Sequence, residues 1–159
     1  MIPPSSRKVI LLIGSNIEPF RNILLAIEEL KTNFSIDSYS SIWETKPIGS
    51  DGNNFLNLAL TITTDLDYGT LKFGSLRDIE SKFGRVRTPD KFASRTLDID
   101  VILDGDIIRD ENIWKYVFAA VPVAELVPDL THPVTHQSLA DIARDLTITS
   151  WIIKYPAGI

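Results

Sequence analysis

The chain has 159 residues, 44% of them hydrophobic and 23% charged, with a formal net charge of −5. That size fits one compact domain with a single core, and the acidity excludes broad binding to nucleic acid or to an anionic membrane surface. There is no cysteine, which excludes disulfides and thiolate chemistry and makes the cytoplasm the expected compartment, and no apolar run nears the ~20 residues of a bilayer span.

Residues 1–8, with Pro3, Pro4, Ser5 and Ser6, read as a short leader. Residues 8–13 (KVILLI) are an apolar run of the kind found in a central strand covered on both faces. Gly14-Ser15-Asn16 breaks it as a strand-to-helix turn, and Pro19 starts a helix over residues 19–33, with Phe20, Ile23, Leu24, Ile27 and Leu30 on its apolar stripe. Residues 36–45 read as a second strand, and residues 46–54 (KPIGSDGNN) as a glycine-rich loop.

A third strand is expected over residues 55–64, with Leu56, Leu58, Leu60 and Ile62 on one face and Asn57, Ala59, Thr61 and Thr63 on the other. Asp67 can cap a second helix whose stripe is Phe73, Leu76, Ile79 and Phe83, and Gly84 ends it. Residues 95–103 alternate as a fourth strand. The order β-α-β-β-α-β is solved most simply by the ferredoxin-like α+β arrangement, a four-stranded antiparallel sheet with two helices on one face. Short helices at residues 122–126 and 137–146 and an edge strand at residues 151–155 complete the chain.

The fourth strand carries the chemistry. Asp98 and Asp100 are two apart and share a face, their α-carbons ~6.5–7 Å apart, so both carboxylates can converge on a pair of Mg²⁺ ions. By itself the pattern also fits the wet side of an edge strand, but Asp is disfavoured in strands and two on one face ask for a reason. Leu97, Ile99, Val101 and Leu103 form the opposite, core face. Arg85, Arg87, Lys91 and Arg95 crowd just upstream, and together with the aspartates they suit a polyphosphate held through metal. No Walker-type loop is present. Phe55 and Asn57, on one exposed face of the third strand, can stack on and hydrogen-bond a flat heterocycle. His132 and His136 flank Pro133 without a third ligand and read as a surface turn.

Residues 83–100 (FGRVRTPDKFASRTLDID) resemble the G-R-x-R … R-T-x-D-x-D signature of the 6-hydroxymethyl-7,8-dihydropterin pyrophosphokinases. The stretches IGSN (13–16), TKPIG (45–49), FLN (55–57) and VPVAELVP (121–128) add to a likeness that runs from about residue 9 to residue 130. The resemblance implies a ferredoxin-like fold, ATP as co-substrate, two Mg²⁺ ions, and attack of the pterin hydroxymethyl oxygen on the β-phosphorus with release of AMP. By position, Asp98 and Asp100 match the metal pair, and Arg85, Arg87 and Arg95 the catalytic-loop arginines. Arg77 and Glu80 match helix positions facing the nucleotide, joined there by Arg87, Lys91 and Arg95. Thr45, Pro47, Phe55, Asn57 and Phe118 match the pterin pocket, with the ring between Phe55 and Phe118; Phe92 stands where many members carry Trp.

One segment departs from the pattern. Residues 107–118 (IIRDENIWKYVF) are several residues shorter than in most members and lack a Pro-His motif, and Tyr116 stands where an Arg is expected; Lys115 or Arg109 is the available substitute. The expectation is a monomeric, ATP-dependent pyrophosphokinase of folate biosynthesis with no nucleic-acid or membrane partner. The alternatives are a catalytically weakened pterin- and nucleotide-binding homologue or an RNA-binding sheet, the last opposed by net acidity and the lack of an RNP-like aromatic pair.

Overall fold

The computed structural model describes residues 6–84 and 96–159. In chain order these form β1 (Arg7–Ser15), α1 (Pro19–Asn33), β2 (Ser35–Tyr39), β3 (Trp43–Thr45) and β4 (Phe55–Thr64). A π-helical turn (Thr70–Leu76) leads into α2 (Arg77–Lys82), followed by β5 (Asp98–Asp104), β6 (Ile107–Ile108) and a 3₁₀ turn (Glu111–Trp114). The chain finishes with α3 (Val117–Leu126), α4 (Leu139–Thr149) and β7 (Ile152–Lys154).

The strands make one antiparallel sheet in the order β6-β5-β1-β4-β3-β7, with β2 also paired to β4. β5, β1, β4 and the β2/β3 pair are the ferredoxin-like core foreseen from the element order. β1 lies at the centre and is buried on both sides, as its unbroken apolar run requires. Val9, Leu11 and Ile13 join Leu56, Leu58, Leu60 and Ile62 of β4 beneath α1 and the π/α2 segment. Ile10, Leu12 and Ala59 face the other way, into a second core closed by α3 and α4. The short C-terminal helices therefore cover the sheet's second face and turn a two-layer core into three layers. α3 carries that burden because it is apolar all round, with Val117, Ala119, Ala120, Val121 and Val123 buried.

Four local features differ from the sequence reading. The expected strand over residues 36–45 is broken at Ser40, whose hydroxyl accepts the Ala59 N–H at 2.8 Å and whose own N–H donates to the Ala59 carbonyl at 2.8 Å. The side chain thus replaces one rung of the ladder and splits β2 from β3. Phe73 is not on the buried stripe but 55% exposed. The π turn carries more residues per turn than an α-helix, so the stripe passes through Leu71, Leu76 and Ile79 instead.

Leu103 does not share a face with Ile99 and Val101: between Ile10 and Leu11 the β1–β5 register shifts, and Ile102 and Leu103 both enter the second core. An inserted residue reverses the alternation beyond it. Finally, α3 begins at Val117 rather than at Pro122, which sits inside the helix. Lacking an N–H, Pro122 cannot close the bond to the carbonyl four residues back. Elsewhere Asp67 caps the second helical segment through Thr70, and His132 Nδ1 accepts from Val134 and Thr135 in the foreseen turn.

Candidate active site

The cross-strand register builds the floor of the site. Asn57 of β4 lies opposite Gly14 of β1, which lies opposite Asp98 of β5; the next row is Ala59, Leu12 and Asp100. Both rows lie on the face covered by α3 and α4, but at the end where α3 starts. There a cavity of about 250 Å³ opens. Phe55, Ile48, Tyr116 and Phe118 form its walls, with Asn57, Asn112, Asp98 and Asp100 supplying the polar lining. Tyr116 and Phe118 stack with ring centres 5.5 Å apart and planes 23° apart, leaving a flat apolar surface.

Asn57 is 2% exposed. Its amide nitrogen donates to Thr45 Oγ1 at 2.9 Å and to the Trp43 carbonyl at 3.3 Å. This fixes the amide orientation and aims the oxygen over Gly14, where an added Cβ would stand 3.5 Å from it. Thr45, itself buried, therefore acts through Asn57 and is not part of the cavity wall. Pro47 is also outside the lining, and the neighbouring Ile48 takes that place.

Electrostatically the aspartate end is under strain. The Asp100 carboxyl is pushed up from about 3.8 to about 7, first by burial and then by the charge of Asp98, while the Lys72 ammonium opposes the rise. Lys72 Nζ donates to Asp100 Oδ1 at 3.5 Å. It reaches there from the π turn, and β6 pairs with Leu103 and Asp104 of β5, beyond Asp100. Glu80 is 3% exposed and its carboxylate accepts the Ile99 N–H at 3.1 Å. That bond ties α2 to β5 midway between the two aspartates. Arg77 is exposed and lies 5.0 Å over the Phe73 ring.

Asp98, Asp100, Phe55, Asn57 and Phe118 are thus brought together as expected. Arg85, Arg87, Lys91 and Arg95 fall outside the described residues. Of the two cations considered for the short segment, Arg109 is held at 3.4 Å from Asp104 and 3.9 Å from the Tyr68 ring, and Lys115 is exposed. Sequence reasoning missed Gly14, Ile48, Asn112 and Lys72. Gly14 had a signal, being in register with the chemistry-bearing strand, but Lys72 lies off the apolar stripe with nothing to mark it.

The donor set suits a hard divalent cation: two carboxylates on one strand face whose mutual repulsion and desolvation a 2+ charge would relieve. Among the described residues no group of three or more His, Cys, Asp or Glu side chains is placed to hold a metal ion. Remaining ligands would be water and phosphate, the usual manner of Mg²⁺. No described helix is long and apolar enough to cross a membrane.

The family model described as 7,8-dihydro-6-hydroxymethylpterin-pyrophosphokinase matches residues 10–128. The folic acid synthesis protein FOL1 of Dictyostelium discoideum is 32% identical over 139 residues, which are 80% of this chain and 21% of that protein. The 2-amino-4-hydroxy-6-hydroxymethyldihydropteridine pyrophosphokinase of Aquifex aeolicus is 30% identical over 146 residues, covering 86% of this chain and 90% of the relative. In structure, the chain resembles the wild-type HPPK-DHPS of Plasmodium falciparum crystallised with pteroate, at a TM-score of 0.68 and 11% identity, over 89% of this chain and 42% of that one. This chain thus spans about a fifth of the Dictyostelium protein and under half of the Plasmodium one, but nearly all of the Aquifex enzyme.

Proposed function

Because the chain belongs to the 7,8-dihydro-6-hydroxymethylpterin-pyrophosphokinase family, the pyrophosphokinases of folate synthesis, we propose that it transfers pyrophosphate from ATP to 6-hydroxymethyl-7,8-dihydropterin and releases AMP. The observation that carries this reading is the row of Asn57, Gly14 and Asp98 across three strands, which sets a heterocycle-sized recess beside a pair of aspartates.

In this mechanism the pterin ring lies between Phe55 and Phe118, and the Asn57 oxygen accepts a hydrogen bond from a ring N–H or amino group. Gly14 leaves room beneath the ring, and Thr45 keeps Asn57 from flipping. The hydroxymethyl oxygen then points to the Asp98–Asp100 end. A new bond forms from that oxygen to the β-phosphorus, the bridge between the α- and β-phosphates breaks toward AMP, and the hydroxyl proton leaves to solvent.

Asp98 and Asp100 would hold two Mg²⁺ ions, which when bound supply charge neutralisation at the phosphates and acidify the hydroxyl. Glu80 keeps the aspartate strand in place through the Ile99 N–H, on the nucleotide side of α2. Arg77, Arg85, Arg87, Lys91 and Arg95 are assigned to the nucleotide, whose phosphate oxygens match guanidinium forks. Bringing the two substrates into one small recess supplies much of the rate. The same reading makes the protein a cytoplasmic monomer, which size-exclusion chromatography tests.

The deciding assay incubates the protein with ATP, Mg²⁺ and the reduced pterin and resolves nucleotides by chromatography. AMP appearing in step with the pterin diphosphate is the expected result. ADP as the sole nucleotide product, or no turnover, overturns the proposal.

A further inference from the structure

We propose that Lys72 is a triphosphate-binding residue that leaves Asp100 for a phosphate oxygen when metal and nucleotide arrive; this rests on the reading of Asp98 and Asp100 as the metal pair. Among the described residues, Lys72 is the ammonium that approaches the aspartate end: its side chain is 25% exposed and its Nζ stands 3.5 Å from Asp100 Oδ1. That distance is at the outer limit of a hydrogen bond, so the ammonium is held loosely. Nor does the pair consist of a buried salt bridge with every group satisfied, because Asp100 stays crowded by Asp98.

The position of Lys72 has a structural cause. It is carried on the π-helical turn Thr70–Leu76, which is anchored through buried Leu71 and Leu76. Single π turns inside helices are frequent at functional sites because they re-aim a side chain. Here the turn brings Lys72 to Asp100, one of the residues that line the cavity. The segment 107–118 sends no comparable charge: Arg109 is tied to Asp104 and Tyr68, and Lys115 is exposed.

Exchange follows from charge. A divalent cation on Asp100 repels a neighbouring ammonium, whereas the triphosphate that accompanies it attracts one. A lysine has a flexible four-carbon stem and three donors, so it can turn from carboxylate to phosphate without backbone motion. Lys72 then acts in two opposite senses: it competes with metal when nucleotide is absent, and it binds nucleotide when metal is present.

Calorimetry on the full chain separates these senses. Wild type, Lys72→Met and Lys72→Gln are titrated with Mn²⁺ alone and with Mg²⁺ plus α,β-methylene-ATP, and melting curves confirm folding of each. Loss of the ammonium should tighten Mn²⁺ binding about threefold and weaken the Mg²⁺–nucleotide analogue about tenfold. Lys72→Arg should keep nucleotide affinity within about threefold of wild type. If either folded neutral variant binds the analogue as tightly as wild type, the proposal is overturned. If wild type itself binds no Mg²⁺–nucleotide, the metal-pair reading fails and this inference falls with it.

Discussion

Strand β5 carries carboxylates at both ends, and the two ends are provided for differently. Asp104, with 5% of its side chain exposed, is flanked by Arg7, whose Nε bonds it, and by Arg109 at 3.4 Å. Arg109 is itself pinned against Tyr68. Two guanidinium groups built into the fold thus close the β5–β6 hairpin onto β1. At the other end Asp100 shares a face with Asp98, Lys72 Nζ stands 3.5 Å from it, and burial and then the Asp98 charge push its carboxyl up to about 7. The same residue type on the same strand serves as a fastening beside two fixed guanidinium groups and, where two carboxylates share one face, as the candidate receptor for a cation.

The largest effect that would break this contrast is catalytic. Alanine at Asp98 or Asp100 should lower AMP formation by about a thousandfold or more, without lowering the melting temperature. A variant that keeps turnover would show that the aspartate end is ordinary polar surface. The converse substitution, Asp104→Ala, should cost about 2 kcal/mol in urea unfolding, since it removes the buried carboxylate that two partly exposed arginines share. Its activity at a temperature where it is folded should stay within about threefold of wild type.

A smaller effect sharpens the contrast through pH. Asp100 has a folded-state pKa near 7, above its ordinary value of 3.8. The native protein therefore binds more protons than the unfolded chain between about pH 4 and 7, and this group's contribution to stability falls as pH rises through that window. Asp100→Asn removes the cost of the charge. With a chelator present, the variant should gain about 1–2 kcal/mol over wild type at pH 8, after screening by solvent at a partly exposed side chain. At pH 4 the gain should vanish. Equal effects at both pH values would mean that burial and Asp98 do not raise the Asp100 carboxyl.

Much of the site was legible because its parts announce themselves locally. Asp98 and Asp100 alternate with apolar residues at the start of their strand, and Phe55 and Asn57 alternate with leucines on theirs. Less legible were residues whose role depends on what crosses over them. Ile48 rather than Pro47 lines the cavity because of how the loop lies against the sheet. Glu80 is turned inward by an N–H that only a neighbouring strand edge can offer.

The amino-acid order alone determined α1 and β4 to the residue, the central place of β1, the element order of a ferredoxin-like sheet, and the pairing of Asp98 with Asp100. These follow from periodicity and turn chemistry, which act over a few residues and need no partner. Tertiary structure decided the covering of the second sheet face, the bulge that turns Leu103 over, the exposure of Phe73, and the approach of Lys72 to a carboxylate 28 positions away. Each of those outcomes depends on cross-strand register or on helix-to-sheet packing, quantities set only when distant parts of the chain compete for the same neighbours.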